Sequence, residues 1–333
     1  MSLTAIGILS IGEMGFGIAQ LLRAHNYRVL TYAADRSAHT QHRAWLAEIE
    51  LRPSLQDLID NSDVLLSIVP PDQALSTADR IIAAASARHL VRSTPLYIFD
   101  LNAVSPSTAR EMAQLYATRA RAEDLVFLQG GIIGTPPRLV ATPSSSPTTT
   151  HSTPLPATSS SSSSSWKKPT IILSGPGPLP IPPTLTTILN IRHISPEYGT
   201  AAAVKMCFAA LTKGFTALAI ESFTTAQGFG VLPALREMLA EHKPAMLGMA
   251  ERGVVGMPSK AYRWAGEMRE IGGTVSEGGG FSPEVFNGIA EVYAAVAADP
   301  VLGEERHKVK REHGVTVEEV VGCLQASLKE KTE

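Results

Sequence analysis

The chain is poor in the groups used for disulfide, metal or polyanion chemistry. Its 333 residues include two cysteines, Cys207 and Cys323, far apart in sequence, which excludes a disulfide framework and points to a reducing compartment. Nine histidines are scattered, none at ligand spacing from another His, a Cys or a carboxylate, so no metal site is expected. The formal net charge of −2 gives no reason to expect nucleic acid or an anionic membrane as partner. The N-terminus lacks a basic segment, and Glu13 interrupts the first apolar run, so a secretory signal is not expected. The charge-free stretch 169–191 contains six prolines and cannot hold a bilayer helix. These absences leave a cytoplasmic protein with length enough for two domains and a large core.

What is present begins at once. Residues 6–22 read as an apolar strand, a glycine-bearing turn and an amphipathic helix, with a second strand at 27–32. This is the pattern of a dinucleotide-binding βαβ unit. Gly12 lets the backbone approach a pyrophosphate, Gly15 lets helix and strand pack closely, and the N–H groups opening the helix face the anion. The turn Ser10-Ile11-Gly12-Glu13-Met14-Gly15 therefore supplies the candidate cofactor contacts, with Ser10 where the usual fingerprint has its first glycine. A plain tight βα turn is the competing reading.

Further strands are expected at 64–68, 96–100, 125–128, 170–174 and 191–194, alternating with helical patterns as a doubly wound sheet requires. A stretch at about 139–168, with seven consecutive serines at 159–165, interrupts them and reads as a disordered surface insertion. Beyond it the strand signal ends. A helix from 201 to about 226 is apolar nearly all round and is expected to be buried on most sides. Helices follow at about 233–252, 260–271, 283–298 and 315–329, with a glycine-rich loop at 272–280. The fold class is thus α/β: a Rossmann-type domain over 1–196 and an all-α domain over 197–333.

Four motifs in order resemble the β-hydroxyacid dehydrogenase superfamily, which includes 6-phosphogluconate and 3-hydroxyisobutyrate dehydrogenases. Ile11-Gly12-Glu13-Met14-Gly15 is similar to the family's glycine turn. Asp100-Leu-Asn-Ala-Val-Ser-Pro106 resembles its Asp-x-Ser-Thr-x-x-Pro segment, with Asn102 and Ala103 in place of the Ser-Thr pair. Gly130-Gly-Ile-Ile-Gly-Thr135 stands where the family places its substrate-loop glycines. Gly199-Thr-Ala-Ala-Ala-Val-Lys205 resembles the segment carrying the family's catalytic lysine. The resemblance implies hydride transfer between a nicotinamide and a small hydroxy acid or its carbonyl partner, with Lys205 as general acid/base. From sequence alone, a lysine on an apolar helix is more often a snorkelling side chain than a catalytic one.

Where the family has an asparagine one turn after its lysine, this chain has Ala209, and Asn102 is the expected substitute. Val69 and Pro70 are expected along the nicotinamide, Ser105, Ile133, Gly134 and Thr135 along the substrate, with Glu267 as a further candidate and Glu221, Arg138 and Arg263 unassigned. At the adenosine end, Asp35 keeps NAD in play, but Arg36-Ser37 resembles the basic-hydroxyl pair that holds a 2′-phosphate, so NADP(H) is favoured. A homodimer is expected, because the few helices after the long one cannot cover it alone, with Glu267 entering the pocket from the second subunit. An imine or ketone reductase of the same architecture and a non-catalytic dinucleotide sensor are the alternative readings.

Overall fold

The computed structural model describes residues 5–33, 38–87, 94–120, 125–141, 164–179, 181–307 and 311–330. Its frame is an eight-stranded sheet of β1 (Ala5–Leu9), β2 (Arg28–Tyr32), β3 (Glu50–Arg52), β4 (Val64–Ser67), β5 (Leu96–Asp100), β6 (Leu125–Ile133), β9 (Thr170–Ser174) and β10 (Ile191–Ser195). A separate antiparallel ribbon joins β7 (Arg138–Ala141) to β8 (Ser164–Lys167). The sheet order is β10-β9-β6-β5-β4-β1-β2-β3, and every neighbouring pair is parallel except β6 with β9. Strands such as β1 and β4 are buried along their whole length, which is why they read as unbroken apolar runs.

Helices α1 (Glu13–Ala24), α2 (Ala38–Leu46), α3 (Leu55–Asp60), α4 (Ala74–Ser86), α5 (Pro106–Arg119) and α6 (Pro183–Ile188) accompany these strands. Two apolar clusters pack against the sheet. One holds Ile6, Ile8, Ile18 and Phe99, the other Leu30, Leu65, Ile98 and Phe127.

After Ser195 the described chain is helical. Helix α7 (Thr200–Gly228) leads into α8 (Leu232–His242), α9 (Pro244–Gly256), α10 (Ala261–Gly279), α11 (Glu284–Ala298) and α12 (Val317–Glu330). These helices share a third cluster built around Met206, Ile220, Phe223, Val254, Met268 and Tyr293. Helix α7 is long and apolar enough to cross a membrane by length and composition, yet it packs against α9, α10, α11, α12 and β6 as a core helix does.

Four expectations are corrected here. The helix expected at 233–252 is two helices, because Pro244 lacks an N–H and forces Lys243 out of helical geometry, at φ −143° and ψ 55°. The glycine-rich segment at 272–280 is helical through Gly279, and glycine serves packing there. A Cβ on Gly272 would crowd Pro283 at 3.2 Å, so close approach of α10 and α11 overrides weak propensity. The flanks of the serine-rich insertion are not disordered: residues 138–141 pair with 164–167, and only 142–163 lie outside the described residues. Finally, α7 is not buried on most sides, since Val204, Phe208, Leu211 and Leu218 form an exposed stripe at helical spacing, Leu211 at 79% exposure.

Candidate active site

The reversal of strand order between β1 and β4 creates a crevice at the carboxyl ends of the strands. The turn from β1 into α1 forms its floor. Ser10 occupies the first-glycine position with a left-handed φ of 75°, so a serine adopts the backbone that glycine would supply without strain. Gly12 is the N-cap of α1, and a Cβ placed on it would meet nothing nearer than Ser10 Oγ at 4.0 Å. Gly15 is the opposite case. A Cβ there would overlap the Ser10 carbonyl oxygen, so this glycine is what lets α1 lie against the turn. Ile11 is buried beneath it, while Glu13 and Met14 open the helix. An open cradle over Gly12 at a helix N-terminus fits a dinucleotide pyrophosphate. Tyr32, Val69 and Arg80 also border the crevice. Arg36 and Ser37, expected to set the choice between NADP and NAD, lie outside the described residues.

Beyond the crevice, Asn102 follows β5. Its Oδ1 accepts from the Val69 N–H at 2.7 Å, and its Nδ2 donates to Asp100 Oδ2 at 2.6 Å and Ser67 Oγ at 3.3 Å. The amide is thus committed to clamping the ends of β4 and β5. It orients Val69, and both its N–H donors are spent within the sheet, which corrects the expectation that it replaces the asparagine missing at Ala209. Burial raises the Asp100 carboxyl to about 7, against the hydrogen bonds from Asn102 and Ser67 that lower it. Ser105 caps α5, accepting from the Thr108 N–H at 3.3 Å. The Ser105 N–H and the Thr108 hydroxyl both donate to Glu270 Oε2 on α10, at 2.6 and 3.0 Å. Glu270 escaped sequence reading, since nothing local marks a carboxylate that pairs with a cap 165 residues away.

Lys205 projects from the second turn of α7. Its stem lies against Gly131, where a Cβ would stand 2.9 Å from Lys205 Cβ, so this glycine in β6 is what admits the helix. That contact puts Lys205 beyond the carboxyl end of β5, since Gly131 lies two residues past the pairing of Asp100 with Gln129. Its Nζ is 4.0 Å from Glu267 Oε1, and its side chain is only 14% exposed. Glu267 belongs to α10 of the same chain and is completed by Lys205 and Lys213 of that chain, which corrects its expected entry from a second subunit.

The remaining candidates scatter more widely. Ile133 ends β6, Gly134 adopts a φ of 118° beside Pro169, and Thr135 is exposed as the chain turns toward α1. Pro137 closes that path, 3.0 Å from where a Cβ on Gly17 would stand. Arg263 lies 4.0 Å from Glu13, near the mouth of the phosphate cradle, whereas Arg138 starts the β7 strand of the ribbon. Glu221 is distant from all of these, in a groove of about 960 Å³ between α7, α8, α11 and α12.

Strand order, glycine turn and helical half together define the class: the chain has the fold seen in 3-hydroxyisobutyrate dehydrogenases. More particularly, residues 5–95 match a family described as NADP oxidoreductase, coenzyme F420-dependent, and residues 226–296 match a domain of unknown function, DUF1932. Among solved structures, 3-hydroxyisobutyrate dehydrogenase from Mycobacterium tuberculosis, with L-serine, aligns at TM-score 0.58 and 15% identity over 98% of this chain and 99% of that one. The 3-hydroxyisobutyrate dehydrogenase of Salmonella typhimurium aligns at 0.57 and 12% identity, over 96% and 99%. A reductive aminase from Aspergillus terreus, in complex with NADPH4, cyclohexanone and allyl amine, aligns at 0.51 and 15% identity, over 98% and 100%. No curated protein matches at a significant level.

Proposed function

We propose that the chain is an NADP(H)-dependent oxidoreductase of the β-hydroxyacid dehydrogenase type, with Lys205 as general acid/base. The observation that carries this reading is the placement of Lys205. A largely buried lysine lies against Gly131, past the point where β6 pairs with the end of β5, with Glu267 beside it. The family description of residues 5–95 and the NADPH-type ligand of the reductive aminase support the choice of cofactor.

When bound over the turn, the nicotinamide cofactor supplies the hydride acceptor or donor. The protein's own residues do the rest. Gly12 and the N–H groups opening α1 receive the pyrophosphate, and Arg263 offsets the charge of Glu13 at that mouth. Asn102 fixes Val69, so the loop through Pro70 is held at the sheet end where the reactive ring would lie. Lys205 Nζ, as the neutral amine, takes the proton from a substrate hydroxyl in oxidation. As the ammonium it returns a proton to the carbonyl oxygen in reduction.

The test is a screen of hydroxy acids, keto acids and cyclic imines by absorbance of the reduced nicotinamide, with wild type and Lys205→Ala. Turnover of a hydroxy acid that Lys205→Ala abolishes supports the reading. Undiminished turnover in the variant removes the proton-transfer role, turnover of imines alone favours the reductase reading, and tight cofactor binding without any turnover favours a sensor. The exposed apolar stripe on α7 supports the homodimer as part of the same proposal.

A further inference from the structure

The proton chemistry just proposed for Lys205 leaves two buried charged groups unused. Lys213 lies two helical turns after Lys205 on α7, and a residue eight positions on returns to the same face. Its Nζ pairs with Glu267 Oε2 and sits 4.8 Å from the centroid of the Trp264 ring. Trp264 is braced edge-on by Tyr293 at 5.3 Å, and the Tyr293 hydroxyl donates to the Lys213 carbonyl at 2.5 Å. Glu267 thus faces two lysines with its two oxygens, but unequally: Oε2 is bonded, whereas the buried Oε1 has no hydrogen-bond partner and looks toward Lys205. Arg263 is the other charged group felt by both Lys213 and Glu267.

A static ion pair would need one cation for one carboxylate. Here two largely buried lysines share one carboxylate, so the cluster carries an excess of positive charge out of water. We propose, resting on the dehydrogenase reading, that Lys205, Glu267 and Lys213 act as one charge cluster in which Lys213 is a positioning residue. It holds Glu267 and keeps a second positive charge beside Lys205. In the base form one lysine is neutral and the other ammonium sits on Glu267. A hydroxyl proton then moves to Lys205 Nζ, leaving its electron pair on the substrate oxygen, and the acid form carries both ammoniums. Ala209, between the two lysines along α7, is buried in the helical core and offers no polar group to either.

The direction of titration agrees with this geometry. Burial pushes the Lys213 ammonium down to about 8, against the raising effect of Glu267, and the Lys205 charge lowers it further. Burial also opposes the Glu267 charge, but Lys213 and Lys205 outweigh it and hold the carboxyl below its usual range.

Two readouts test the inference. In the full-length protein with carbon-13-labelled lysine, one side-chain signal is expected to titrate at about pH 8 and to vanish in Lys213→Met. In the pH profile of oxidation, Lys213→Met leaves Glu267 wholly to Lys205 and moves the midpoint alkaline by about one unit or more. Glu267→Gln moves it the opposite way, and Lys213→Arg, which keeps the charge, holds it near the wild-type value. Opposite shifts are not produced by simple loss of packing. A folded wild type in which no lysine signal titrates below about pH 9, or an unmoved midpoint in Lys213→Met, overturns the inference. The expected lysine titration in a protein without turnover on any substrate instead overturns the dehydrogenase reading on which it rests.

Discussion

Two glycines three residues apart in one turn are expected to fail in different ways when a methyl group is added. In Gly12→Ala the new Cβ enters the open cradle, with Ser10 Oγ at 4.0 Å as its nearest neighbour, so the folded state accommodates it. The methyl instead occupies the space a pyrophosphate needs. Crowding of this kind costs ~1–3 kcal/mol, which corresponds to an NADPH affinity weakened by roughly 5- to 150-fold. In Gly15→Ala the new Cβ meets the Ser10 carbonyl oxygen, which is backbone and cannot rotate aside. Helix α1 must separate from a turn already held at a left-handed residue, at a similar ~1–3 kcal/mol, now subtracted from stability. For a domain of this size that is a fall in Tm of roughly 2–12 °C. Displacement of the α1 N–H groups weakens cofactor binding as well. Differential scanning fluorimetry of the cofactor-free proteins, with titration of NADPH by fluorescence, separates the two. A Gly12→Ala protein that loses as much Tm as Gly15→Ala, or that binds NADPH like wild type, refutes the argument.

Three other outcomes follow from particular contacts. Asp100 has a folded pKa raised from 3.8 to about 7, so wild type loses stability relative to Asp100→Asn as pH rises through that window, by at most about 1.4 kcal/mol per pH unit, and chemical denaturation at pH 5 and 8 measures the difference. If the gap between the two proteins does not widen with pH, the raised carboxyl is wrong. Ser105→Ala removes both the cap of α5 and its hydroxyl network and should cost about 1 kcal/mol in the same experiment; an unchanged denaturation midpoint contradicts the capping role. Leu211→Glu places a charge in the exposed stripe of α7 and should give a monomeric mass in light scattering where wild type gives twice 35.4 kDa; a wild-type protein monomeric throughout the micromolar range removes the dimer.

The frame was legible in the sequence because parallel strands buried on both faces must be apolar runs, and each of the seven expected strands has its counterpart in β1, β2, β4, β5, β6, β9 or β10. Strand β3 was not legible. Glu50-Leu51-Arg52 is three residues long, sits at the sheet edge and is largely exposed, so it carries no apolar run. Glycine content misled at the end of α10, where tertiary contact with α11 decides the conformation. In the site, local motifs pointed to the glycine turn, whose geometry is short-range, and to Lys205, whose neighbours Gly131 and Glu267 come from distant parts of the chain. Lys213 and Glu270 were missed because their meaning depends on where α10 crosses α7 and α5, which no spacing along the chain encodes. Asn102 was noticed for the right strand end and the wrong partner: its side chain points into the sheet.

Helix α10 has a mechanical consequence. Its nineteen residues span about 28 Å and touch the nucleotide-binding half through Arg263 to Glu13, Glu270 to Ser105 and Thr108, and Glu277 to Arg110. The described polar seam along this rod is stitched by carboxylates and cations, and its two outer pairs are solvent-exposed. Parting the halves along it breaks contacts that dissolved ions screen, with a Debye length of about 8 Å at physiological ionic strength. The hold of α10 on the sheet at those two exposed pairs is therefore weakened by added salt, while the apolar packing within each half, and of α7 against β6, is left as it was.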